Sequence, residues 1–282
     1  MSSQTNDHQF CWERIIESRD LFRITHFFVP VEMADKLLAL HALFASLDLL
    51  NFRVMEESIA RTKLEWWRIE LQSEKIKRSR HPILRYLNET GVTATLPGPA
   101  LEDFLNGVEL RLNAQSPTSE RGFHQICRQI AEPRIDLECA LTGLADQAAL
   151  CRADSINGGL FELLRESSMQ KDRAFWWVPL NLLARYKISR RELALEQNSD
   201  TARAVLRELM TVDMPVEKAA DHTKRSNLFE NPGRSHLQLT ANLQFRVINR
   251  IQSMGPSSYY DELRRWRFSD VISTWNMARR IY

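Results

Sequence analysis

The stretch from Gly158 to Pro179, GGLFELLRESSMQKDRAFWWVP, holds the residues whose types and spacing best suit chemistry. Glu162, Glu166 and Gln170 fall at i, i+4 and i+8, so they leave one face of a helix, while Leu160, Leu163 and Leu164 mark an apolar face. Such a helix aims oxygens into a cleft. Carboxylates at i and i+4 project together and suit a hard cation such as Mg²⁺, so Glu162 and Glu166 form a candidate metal pair. Arg165 and Lys171 lie close enough in the chain to make the same face a solvated run of paired charges instead. Asp172, six residues beyond Glu166, turns to another side of the helix. A further candidate is Asp48, which lies with His41 on or beside an apolar stripe of Leu37, Leu40, Phe44 and Leu47. Its plain reading is a helix-end or water-facing carboxylate.

The elements that must position these groups are helical. Only nine of 282 residues are glycine, Leu, Arg, Glu and Ala dominate, and strand-forming blocks bounded by Gly or Asn-Gly turns are missing. Helices are expected over Asn6 to Phe28, from Val31 past Asp48, over 56–76, Pro99 to Asn113, Thr118 to Ala131 and Thr201 to Val212. Asn231-Pro232-Gly233 predicts a turn within a loop over 222–235, followed by helices from Ser235 to Met254 and Ser257 to Tyr282. Leu239, Leu243, Val247 and Ile251 repeat at i+4 and turn the first of these toward a core. The length is near the limit of one hydrophobic core, so the reading is a single domain over 1–282, with residues 1–8 lacking order.

Charge and cysteine use narrow the function classes. Thirty-eight basic and thirty-six acidic residues give a net charge of +2, and no bulk electrostatic argument points to nucleic acid. Cys11, Cys127, Cys139 and Cys151 form no close pairs, and the twelve-residue steps among the last three keep them off a common helix face. They read as reduced, buried thiols of a cytoplasmic or equally reducing compartment. MSSQTNDHQFCWERII has neither a basic leader nor an apolar core, so secretion is not expected. The basic and aromatic end, 264–282, permits peripheral contact with a membrane or a protein partner.

At LLRESSMQKDRAFWWVP the chain resembles the second acidic motif of the squalene and phytoene synthases, which runs Leu-Arg-Asp, three residues, Asp, three residues, Gly-Arg, one residue, Tyr-Leu-Pro. Arg165, Val178 and Pro179 fit that pattern. Glu166 stands for its first aspartate, Gln170 for its second, and Ala174 and Phe175 for its Gly-Arg pair. ALHALFASLDLLNF is similar to the first motif and keeps Asp48, but has Ala45, Leu49 and Phe52 where an arginine and two further aspartates belong. Polar residues one and two turns earlier on the second helix are altered to Gly159 and Glu162, and Glu132, Pro133 and Ile135 fall where the family's glycines admit a lipid chain.

The resemblance implies an all-α, single-domain isoprenoid-synthase fold with a central cavity. It also implies head-to-head condensation of prenyl diphosphates held by Mg²⁺, with Asp48 and Glu166 as metal ligands and Arg165 and Glu162 at the substrate. Against that pattern Asp48, Phe52, Glu166 and Gln170 read as vestigial, and three functions remain open. One is a non-catalytic accessory or assembly protein that needs no cofactor and acts on a protein partner. It is similar to the mitochondrial assembly factor of respiratory complex I and its bacterial relatives, whose Trp-Arg-x-x-Tyr type of terminus STWNMARRIY resembles. The second is a divergent Mg²⁺-dependent prenyltransferase, and the third a module that binds a prenyl or other lipid chain. The first is favoured because metal chemistry is the most demanding and its ligands are the scarcest.

Overall fold

The computed structural model describes residues 2–52, 56–170, 174–195, 199–211, 232–254 and 267–281. These contain fifteen α-helices joined by loops and short 3-10 turns, with no strand among the described residues. In chain order they are α1 (Ser2–Ser18), α2 (Phe22–Thr25), α3 (Val31–Phe52), α4 (Glu57–Glu70), α5 (Ser73–Ile76), α6 (Pro82–Glu89), α7 (Gly98–Asn113) and α8 (Glu120–Leu141). Then come α9 (Ala148–Cys151), α10 (Ser155–Met169), α11 (Leu180–Tyr186), α12 (Arg190–Leu195), α13 (Ser199–Thr211), α14 (Pro232–Met254) and α15 (Phe268–Ile281). Among the described residues no helix is long and apolar enough to cross a membrane.

Several boundaries differ from expectation, each for a local reason. Helix α1 begins at Ser2, and the buried carboxylate of Asp7 accepts from Arg85 Nε on α6 at 2.8 Å. The single helix expected over Asn6 to Phe28 breaks at Arg19, whose φ is 59°, and restarts where Asp20 Oδ1 accepts from the Phe22 N–H at 2.8 Å. The helix expected to stop at Ala131 runs on to Leu141 with Pro133 inside it. Proline has no N–H for the carbonyl four residues back, here Gln129. That carbonyl is where α7 comes closest, since a Cβ on Gly107 would lie 2.8 Å from it. Pro232 and Gly233, expected in a turn, open α14, and the rest of the expected loop, 222–231, lies outside the described residues.

Helix α8 joins two hydrophobic cores. Its C-terminal half gives Leu137 and Leu141 to a cluster with α1, α3, α4, α6 and α7. Its N-terminal half gives Phe123, Ile126, Cys127 and Ile130 to a cluster with α10, α11, α13 and α14. Two glycines let neighbours close on α8: Gly107 on α7, and Gly159 on α10, where a Cβ would sit 2.1 Å from the Cys127 carbonyl oxygen. The backbones of α7, α8 and α10 thereby approach far nearer than side chains would allow. Asp48 near the end of α3, Arg111 on α7, Arg134 on α8 and Arg165 on α10 then share one interior space.

Gly159→Ala is expected to destabilise the protein by about 3 kcal/mol or more, since the added methyl collides with backbone rather than a movable side chain. Gly98→Ala, with nothing within 4 Å of the new methyl, should stay within about 0.5 kcal/mol of the parent. Urea unfolding of the two variants measures the contrast, and equal stabilities would contradict the close α8–α10 approach.

Candidate functional site

Asp48 is fully buried, contrary to the expectation of a water-facing carboxylate. The reason is three guanidiniums around it. Arg111 Nη2 donates to Asp48 Oδ1 at 2.6 Å, Arg134 Nη2 donates to the same oxygen, and Arg165 Nη2 donates to Oδ2 at 2.5 Å. Burial alone would push the Asp48 carboxyl up, but Arg134, Arg111 and Arg165 outweigh it and hold the group at about 2. Burial likewise disfavours charge on Arg165, and Glu162, Asp48 and Asp20 reverse that and raise it above the ordinary arginine range.

The two glutamates of α10 also turn inward, so the solvated charge face that the sequence permits is not formed. Glu162 accepts from Arg165 Nη2 and lies 3.7 Å from Arg134 Nη1. Glu166, 2% exposed, accepts from Trp176 Nε1 at 3.0 Å and has its other oxygen 3.9 Å from Arg111 Nη1. The paired indoles therefore belong to the site. Trp177 Nε1 donates to Ser167 Oγ at 2.9 Å, and together they tie the segment after α10 back onto it. Phe175, where the family's arginine would stand, sits at φ 62° with its N–H given to that same hydroxyl. Gln170 is buried at the C-terminal end of α10.

Asp48 and Glu166 do converge, then, on the guanidinium of Arg111. Phe52, where a second aspartate would stand, lies under Arg165, with the guanidinium carbon 5.0 Å from its ring centre. Glu162 and Glu166, at i and i+4, face different partners. A magnesium ion bound in near-octahedral order needs several free oxygens on one side. Here both Asp48 oxygens already accept from arginines, Phe52 offers no oxygen, one Glu162 oxygen accepts from Arg165, and one Glu166 oxygen accepts from Trp176. This donor set does not fit the magnesium group that the resemblance implies. At the level of the acidic motifs, the implied central cavity is filled by Arg111, Arg134 and Arg165, with Phe44 and Phe104 each about 5.1 Å from the Arg134 guanidinium carbon.

Sequence reading singled out Asp48, Glu162, Arg165 and Glu166, and all four meet here. It missed Arg111 and Arg134, which supply most of the compensating charge. Their signal was an arginine on an apolar stripe. Arg111 follows Phe104 and Val108 on α7, and Arg134 stands between Ile130 and Leu137 on α8, all of them buried. Among the cysteines, Cys11, Cys127 and Cys139 are buried and Cys151 is half-buried. The chain turns back through α9, so that Cys139 and Cys151 become hydrogen-bond neighbours despite their spacing.

A family model described as squalene/phytoene synthase matches residues 17–267. No curated protein sequence matches the chain. Among solved structures, a dehydrosqualene synthase in complex with ligand superposes with a TM-score of 0.69 at 12% identity, covering 99% of this chain and 97% of that one. The squalene synthase HpnC from Alicyclobacillus acidocaldarius superposes with a TM-score of 0.60 at 14% identity, covering 100% and 95%. At these identities the likeness is one of fold.

Removing one partner of a buried ion pair strands the others, so Asp48→Asn is expected to cost about 3–5 kcal/mol in urea unfolding. Glu57→Gln, in the exposed pair with Arg61, should cost less than about 0.5 kcal/mol. Because the folded-state pKa of Asp48 lies below its unfolded value, its contribution is fully present above about pH 4 and is lost as pH falls toward 2. Wild type should lose stability through that window more steeply than Asp48→Asn, and parallel curves would contradict the pairing.

Proposed function

The chain belongs to the squalene/phytoene synthase family, and from that footing we propose that it works without prenyl transfer, as an accessory or assembly protein acting through its surface. The observation that carries this reading is the engagement of both Asp48 oxygens by arginines in a fully buried position. Arg111, Arg134 and Arg165 are matched one for one by Asp48, Glu162 and Glu166. A diphosphate leaving group needs surplus positive charge from metals or arginines. This interior has no surplus to offer.

The surface offers more. On α15, Ile272 and Trp275 are 42% and 47% exposed, and the Arg279 guanidinium carbon lies 4.7 Å from the Trp275 ring centre. That basic, aromatic face suits a protein partner or the surface of a membrane. The resemblance of STWNMARRIY to the complex I assembly factor directs the search for a partner to respiratory complex I.

A second reading, a module for a prenyl or lipid chain, is favoured by a groove of about 480 Å³ lined by Trp12, Ile16, Arg23, Ile24 and His26. Extraction of the purified protein and mass spectrometry would reveal such a ligand.

Incubation with farnesyl or geranylgeranyl diphosphate and Mg²⁺ is expected to yield no head-to-head product and no released diphosphate. Turnover that disappears in Asp48→Ala or Glu166→Ala would overturn the proposal. Deletion of the gene should lower respiratory complex I activity and leave isoprenoid products unchanged, and a normal complex would count against the assembly role.

A further inference from the structure

Beside the arginine network, and sharing none of its residues, three ligand-type side chains from three helices meet in the interior. His41 on α3, Glu138 on α8 and His236 on α14 are 4%, 6% and 1% exposed. Their donor atoms lie within 4.8 Å of one another. The two Nε2 atoms stand 3.3 Å apart, Glu138 Oε1 is 3.6 Å from His41 Nε2, and Glu138 Oε2 is 3.6 Å from His236 Nε2. Ligands at about 2.0–2.1 Å from a tetrahedral zinc ion are separated by roughly 3.3–3.4 Å, so the two Nε2 atoms already stand at the spacing of zinc ligands, and one Glu138 oxygen lies within 4.8 Å of both.

The surroundings of the triangle agree. Asp20 Oδ1 lies 3.1 Å from His41 Nδ1, and its position is fixed by the Phe22 N–H at 2.8 Å. A carboxylate on the far nitrogen of a histidine orients the ring and leaves the Nε2 lone pair for a metal. Phe22 stacks on the His41 ring with centroids 4.6 Å apart, which holds its plane. Glu138 Oε2 has no hydrogen-bond partner among the described residues, and its 3.6 Å approach to His236 Nε2 is too long for a hydrogen bond. Asp20 is held in its charged form, and a dication would offset its charge and that of an ionised Glu138. His236 Nδ1 meets no acceptor among the described residues, so His41 is the anchoring ligand.

We propose that His41, Glu138 and His236 bind one divalent transition-metal ion, zinc by the donor set and the spacing, which staples α3, α8 and α14 together. Two imidazoles and one carboxylate suit zinc, and imidazole nitrogens do not suit magnesium or calcium. His41 lies within the stretch similar to the first motif, but the site uses none of the acidic positions Asp48, Phe52, Glu166 and Gln170.

The test is metal analysis of the full-length chain, purified without a polyhistidine tag. Close to one zinc per chain is expected. Removal with dipicolinate should lower Tm by about 5 °C or more, and added Zn²⁺ should restore it. His41→Gln and His236→Gln should lose both the zinc and the response to chelator, while Cys151→Ser should keep both. Should the histidine variants fail to fold, Co²⁺-substituted wild type is read instead, with intense tetrahedral bands and no thiolate charge-transfer band expected. Metal-free protein with no Tm response to Zn²⁺, zinc retained in the doubly substituted variant, or a thiolate band would each overturn the assignment.

Discussion

A carboxylate wholly out of water is costly to keep charged, and Asp48 is tolerated there because three guanidiniums surround it. The constraint works in both directions. Arg111 and Arg165 are themselves nearly inaccessible and would be untenable without Asp48, Glu162 and Glu166 beside them. None of these groups can be altered alone, since whichever is removed leaves its partners buried and uncompensated. Compared with apolar side chains of similar volume, such a network adds little net stability. Its effect is to fix which helix faces meet, because any other register would strand a charge.

The glycines make that meeting possible. Gly107 and Gly159 bring α7 and α10 against the backbone of α8, and the charged side chains of these helices meet in the same interior. Guanidiniums suit that interior, being flat, always charged and able to lie over Phe44, Phe52 and Phe104 while donating to buried carboxylates. A family fold whose catalytic members hold cations between facing acidic helices thus here holds its own arginines between them.

Much of this was legible in the residues. Helical periodicity, composition and the resemblance sufficed for the all-α fold, and the stripe on α14 was read correctly because Leu239, Leu243, Val247 and Ile251 bury the face they predict. Asp48, Glu162, Arg165 and Glu166 stood out by type and spacing. Their burial was not legible, because a run such as LLRESS satisfies the pattern of a solvated face as well as that of an interior one. Arg111 and Arg134 lie 63 and 86 residues from Asp48, beyond any local pattern. The same distance hid the grouping of His41 with His236, 195 residues apart. The break at Arg19 was invisible too, since a single left-handed residue leaves the hydrophobic period on both sides intact.

We propose that arginines occupy the ground where cations and a diphosphate would bind. The most direct measurement is calorimetric titration of the full-length protein with pyrophosphate in millimolar Mg²⁺. The account predicts no saturable heat in wild type and no difference on Asp48→Asn. Saturable, Mg²⁺-dependent binding that Asp48→Asn abolishes would contradict it.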